Sequence, residues 1–161
     1  MTVSMSTDPE VAEFAGQLFF RLWRASHTRT AERLESIGLN PALFALLNVL
    51  GARDGAIQQQ LSTDMAIDPS AMVKLINELE NAGLAERRRR PGDRRAWEVS
   101  ITPKGRRALE RARGFAADVE DDVLSGLTAS DRRQLLTLLR RALVSLPPQP
   151  PWRPEEGDGA A

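Results

Sequence analysis

Hydrophobic positions recur at helical spacing over most of this chain, and strand-like order shows in one arginine-loaded stretch. Thr7-Asp8-Pro9-Glu10 is a helix start, with Thr7 and Glu10 placed for a capping box. The helix it opens is expected to run to about Ser36. Val11, Phe14, Leu18, Phe19, Leu22 and Trp23 give it a wide apolar stripe, enough for two faces. A helix this long exceeds the roughly three turns usual in globular proteins, which fits one face packing in its own chain and the other on a partner. Asn40-Pro41 starts a strongly apolar second helix through Leu43, Phe44, Leu46, Leu47 and Leu50. After a turn over Gly51 to Gly55, a short helix from about Gln58 to Met65 turns Leu61 and Met65 inward, though its start lacks a capping side chain.

The stretch Asp68 to Gly105 comes next. Asp68 and Pro69 suit an N-cap and first helical position, and Met72, Val73, Ile76 and Leu79 form an apolar face. Gly83 is fit to end the helix in the left-handed conformation, with Leu84 folding back. Arg87 to Arg90, a Pro91-Gly92 turn, Asp93-Arg94-Arg95 and the β-leaning run Ala96 to Ile101 then predict a hairpin. Two short helices joined by a tight turn and backed by a basic hairpin read as a winged helix-turn-helix. Thr102-Pro103 opens a further long helix to about Leu124, basic at its start and acidic at its end, against the helix dipole. Thr128 to Asp131 offers another capping start, for a leucine-rich helix from about Ala129 to Leu146. Residues 147–161 are proline-rich, then acidic and glycine-rich, and read as a disordered tail.

Composition narrows the function classes. The 161 residues carry 22 basic and 22 acidic groups, a net charge of zero. Between Glu86 and Arg113, however, 11 basic residues face 4 acidic ones, a basic footprint of the kind nucleic acid requires. The chain has no cysteine, so thiol catalysis, thiolate metal sites and thiol redox sensing are excluded. One histidine, His27, does not make a metal cluster or a catalytic dyad. No glycine-rich phosphate loop or Ser-His-Asp arrangement is present, so no enzyme, cofactor or metal is expected. No secretory signal and no membrane-spanning run is found, which sets a cytoplasmic expectation.

The segment DRRAWEVSITPKG, Asp93 to Gly105, resembles the wing signature of the MarR family, with Ile101 in place of the usual leucine. DPSAMVKLINELENAGLAERRR is similar to that family's recognition helix and first wing strand, and LTASDRRQLLTLLRRAL to its dimerisation helices. The resemblance covers about Val11 to Leu146. It implies a mainly α fold with a small β-hairpin wing: one domain over residues 7–146, its winged helix-turn-helix core about 41–102 and its dimerisation helices about 8–36 and 103–146. It also implies a homodimer on double-stranded, pseudo-palindromic operator DNA, acting as a repressor relieved by a small aromatic or anionic effector.

On that resemblance, Pro69, Ser70, Ala71, Lys74 and Asn77 face DNA, with Lys74 on guanine or phosphate and Asn77 on adenine or backbone. Ser70 lies near the helix N-terminus, where phosphate is favoured, although a capping role competes. Arg87 to Arg90 lie on a strand, so only alternate ones can face DNA, and Arg88 and Arg90 are assigned to it. Asp93 orients Arg95 into the minor groove and Arg94 meets phosphate. Phe19, Trp23 and His27, at i, i+4 and i+8, are candidates for an effector cleft, against the plainer reading that the two aromatics are core or interface. A winged-helix protein–protein module without DNA binding is the alternative, which the arginine density opposes.

Overall fold

The computed structural model describes residues 14–53, 55–90 and 93–147, and for Arg90 and residues 93–96 the main chain only. The elements run α1 (Ala15–Glu35), α2 (Pro41–Gly51), β1 (Ala56–Ile57), α3 (Gln58–Asp64), α4 (Pro69–Asn81), β2 (Ala85–Arg90), β3 (Asp93–Ile101), α5 (Pro103–Val123) and α6 (Ala129–Val144). The expected Thr7–Glu10 capping box and nearly all of the 147–161 tail lie outside the described residues.

Local chemistry accounts for most of the boundaries. Asn40 accepts from Leu43 N at 2.9 Å and Pro41 takes the first position of α2. Thr102 accepts from Gly105 N at the start of α5, and Thr128 and Asp131 form a reciprocal capping box on α6. The start of α3 has no side-chain cap, as its sequence implies. Between α3 and α4 the chain turns through Ala66, which takes the left-handed conformation (φ 49°) that glycine more often supplies.

The sheet has the order β1-β3-β2 and is antiparallel throughout. The two-residue β1 pairs Ala56 with Val99 and Ile57 with Glu98. No strand is expected there from the sequence, because two residues cannot display a period of two. The core gathers Leu34, Leu46, Leu47, Leu50, Leu61, Met72, Ile76, Leu79 and Val99, all fully buried, from α1, α2, α3, α4 and β3. Within α4 the anchoring set differs from the expected one by a residue: Val73 is only half-buried, and Leu75 packs against the core instead.

Two helices stand apart from this core. Leu34 is the one buried residue of α1, and α6 has none. Many of their apolar residues remain exposed, among them Phe19, Phe20, Leu138, Leu143 and Val144. Ion pairs join them to α5: Arg33 to Asp118 at 3.1 Å, and Arg132 to Asp121. The acidic end of α5, which opposes its own helix dipole, thus serves as the docking edge for arginines of its neighbours.

Candidate nucleic-acid interface

Asp68 does more than cap α4. Its Oδ1 accepts from both the amide (2.9 Å) and the hydroxyl (2.6 Å) of Ser70. The Ser70 hydroxyl proton is therefore held by the capping carboxylate of Asp68 within the turn. Pro69, Ser70, Lys74 and Asn77 are exposed, and the last three lie at i, i+4 and i+7 on one face. Ala71 does not join them. It is half-buried and packs against the core, because it falls a quarter turn away, next to the Met72 side of the helix.

The far end of α4 is held by the segment after the wing. Gly83 (φ 68°) lets Leu84 N reach Leu79 O and Gly83 N reach Glu80 O, each at 2.8 Å. The remaining carbonyls are met by the wing signature itself: Thr102 Oγ1 donates to Gly83 O and Lys104 Nζ to Ala82 O, each at 2.7 Å. Gly105 has to be a glycine, since a Cβ there would lie 2.0 Å from Leu84 O. The ITPKG segment is therefore a clamp on the recognition helix.

The wing strand β2 divides its arginines by parity. Arg87 turns toward the helices. Its main-chain N–H and Nε donate to the two carboxylate oxygens of Glu80, each at 2.8 Å, its Nη1 to Gln58 Oε1 at 3.2 Å, and its Nη2 to Asn77 Oδ1. One guanidinium thus ties β2 to α3 and α4. One acceptor site of Asn77 Oδ1 is thereby engaged within the fold, while its amide donors remain on the exposed face. Arg89 lies with its guanidinium carbon 4.0 Å from the centroid of the Trp97 ring, its partner across the sheet. Arg88 points the other way, is highly exposed and pairs with Glu86 at 2.9 Å. The side chains of Arg90, Asp93, Arg94 and Arg95 are outside the described set, but the backbone shows where they stand. Arg89 faces Trp97 whereas Arg90 faces Asp93, so Arg94, Arg95 and Ala96 form an extra segment on β3 at the wing tip.

Gln58, Glu80, Trp97, Thr102 and Lys104 support this surface although they are not among the residues expected from the sequence. Strand parity pointed to Arg87 and Arg89 as the pair turned away from Arg88. Nothing in the spacing connects Gln58 or Glu80 to Arg87.

A cleft of about 480 Å³ opens between α1, the start of α2, the end of α5 and α6. Leu22, Trp23, Ser26, His27 and Thr30 line it from α1. Trp23 and His27 are in ring contact there, with centroids 4.8 Å apart. Phe19 is not part of the lining and stands exposed, because the walls from α2, α5 and α6 begin only at the level of Leu22. Among the described residues no cluster of His, Cys, Asp and Glu is placed to hold a metal ion, and no helix is long and apolar enough to cross a membrane.

Comparison with known proteins agrees with this geometry. The MarR family model matches residues 37–96, the region from the approach to α2 through most of the wing. A protein of Thauera aromatica, named for transcriptional regulation of the hcr operon, is 33% identical over 131 residues, covering 79% of each chain. A mutant MarR of E. coli complexed with operator DNA superposes with a TM-score of 0.70 at 22% identity, over 80% of this chain and 92% of that one. Bordetella bronchiseptica BpsR, whose DNA binding is regulated by 6-hydroxynicotinic acid, superposes with a TM-score of 0.72 at 24% identity, over 84% and 97%. The exposed recognition-helix face, the arginine-bearing wing beside it and these likenesses point one way: the chain belongs to the MarR family of winged helix-turn-helix transcription regulators, proteins that act by binding DNA rather than by catalysis.

Proposed function

We propose that two copies of this chain pair through α1 and α6 and set two α4 helices into successive major grooves of a pseudo-palindromic operator. The observation that carries this reading is the pairing of two unlike surfaces on one chain. One is the polar face of Pro69, Ser70, Lys74 and Asn77 beside the β2 arginines; the other is the uncovered apolar face of α1 and α6. On the operator, Lys74 meets guanine or phosphate, Arg88, Arg90 and Arg94 meet phosphates, and Arg95, oriented by Asp93, enters the minor groove. The protein works in the cytoplasm, as one domain over about residues 7–146, and represses until a small molecule enters the cleft lined by Trp23 and His27.

The test is a gel shift with DNA from the promoter region beside the protein's own gene, together with sedimentation of the free protein. A dimer that binds with the nanomolar-scale affinity of specific sites, and loses it steeply with salt, is the expected result. A chain that retains no DNA even at low salt would instead favour a protein–protein module.

A further inference from the structure

Resting on the reading of the cleft as an effector site, we infer that it takes a hydrophobic organic cation, an ammonium on an aromatic or branched alkyl body, and disfavours a carboxylate. Its walls are mostly aliphatic and aromatic, with Leu22, Trp23, Phe44 and Leu135 among them. Ser26, His27, Thr30 and Glu120 supply the polar side chains, and neither lysine nor arginine lines it.

Glu120 is the telling group. It sits in an acidic run at the end of α5 with Asp118, Asp121 and Asp122. The other three have arginine partners: Asp118 and Asp122 share Arg33, at 3.1 and 4.0 Å, and Asp121 holds Arg132. Glu120 forms no ion pair with a described residue, and it is the acid of this run that lines the cleft. The C-terminal end of α5 borders the same space through Val123 and Leu124 and adds the negative end of a helix dipole. The α2 start, where an anion would otherwise settle, is closed at two positions: Pro41 has no N–H, and Leu43 N is already donated to Asn40. An anion entering here would lie beside a solvent-exposed carboxylate that no described arginine or lysine neutralises. A cation would find that carboxylate and the faces of Trp23, which attract positive charge.

Calorimetric titration of the full-length protein with three probes of one shape decides the matter: 4-tert-butylbenzylammonium, 4-tert-butylbenzyl alcohol and 4-tert-butylbenzoate. The ammonium is expected to bind most tightly and the benzoate least. Glu120→Gln should cost the ammonium about tenfold in affinity, leave the alcohol within about twofold and improve the benzoate. A melting curve run beside each titration checks that the variant is folded. Equal or tighter binding of benzoate, an order unchanged by Glu120→Gln, or no binding of any probe would overturn the inference. The titration contains no DNA. Failure of operator binding in the gel shift therefore counts against the regulator reading, while the order of the probes alone judges the cleft.

Discussion

At the scale of single residues, the interface depends on groups that do not touch DNA. Gly105 is one. Its missing Cβ allows α5 to start against the Leu84 carbonyl, where a methyl would overlap at 2.0 Å. Gly105→Ala is expected to destabilise the fold by at least ~2 kcal/mol through overpacking against backbone that cannot move aside. Urea unfolding measures this, and a change under half that size would mean the overlap relaxes easily. Arg87 is the second. Its hydrogen bonds to Glu80, Gln58 and Asn77 occupy the side chain within the fold, so it should position rather than bind. Arg87→Ala should weaken operator binding without altering the dependence of affinity on salt. Arg88→Ala should lower the log–log salt slope by roughly one unit, as expected when one phosphate is no longer neutralised. Arg87→Lys keeps the charge but cannot span Glu80, Gln58 and Asn77 together, so it should behave like the alanine variant. If lysine restored binding fully, charge rather than the fork of the guanidinium would be what this position needs.

At the scale of elements, helix ends are where local chemistry and tertiary structure meet. The capping box of α6 is fully solvent-exposed, and the hydrogen bonds from the Thr128 side chain and then its amide hold Asp131 below its ordinary carboxylate range. A carboxylate whose folded pKa is depressed stabilises above its unfolded pKa and loses that contribution as pH falls through the folded one. The stability advantage of the native chain over Asp131→Asn should therefore be complete above about pH 4 and shrink in stronger acid. Chemical denaturation at a series of pH values checks it, and an advantage that grew toward low pH would contradict the cap. The wing shows the opposite balance. Alternation along Arg87 to Arg90 was readable as a strand property. Which parity faces α4 depended on where Glu80 and Gln58 come to lie, and these belong to other helices.

At the scale of the whole molecule, the uncovered apolar side chains of α1 and α6 are the largest feature that one chain does not explain. Exposed large apolar side chains in this number on two helices mark an association face. Leu138→Glu with Leu143→Glu places four charges in a symmetric interface and should give a monomer by sedimentation. Operator affinity should fall by more than tenfold, because a lone recognition helix loses the second half-site one helical turn, about 34 Å, away. A double variant that remained dimeric and bound as before would move the interface off α6.

The sequence by itself determined the course of the helices, the caps of α2, α4, α5 and α6 and the arginine hairpin, since those rest on contacts between residues close along the chain: Asn40 with Leu43, Asp68 with Ser70, Thr128 with Asp131. It also carried the family, through the wing signature. Tertiary structure alone decided what depends on distant segments meeting. It paired the isolated Ala56–Ile57 strand with β3, set half-buried Ala71 against the core, drew Asn77 and Arg87 into one network, excluded Phe19 from the cleft and left Glu120 without an arginine while its neighbours found theirs. The physical reason is the same in each case. Capping and periodicity are properties of a few consecutive residues, whereas the partner of a strand, a guanidinium or a cleft wall is set by packing between elements that no local pattern connects.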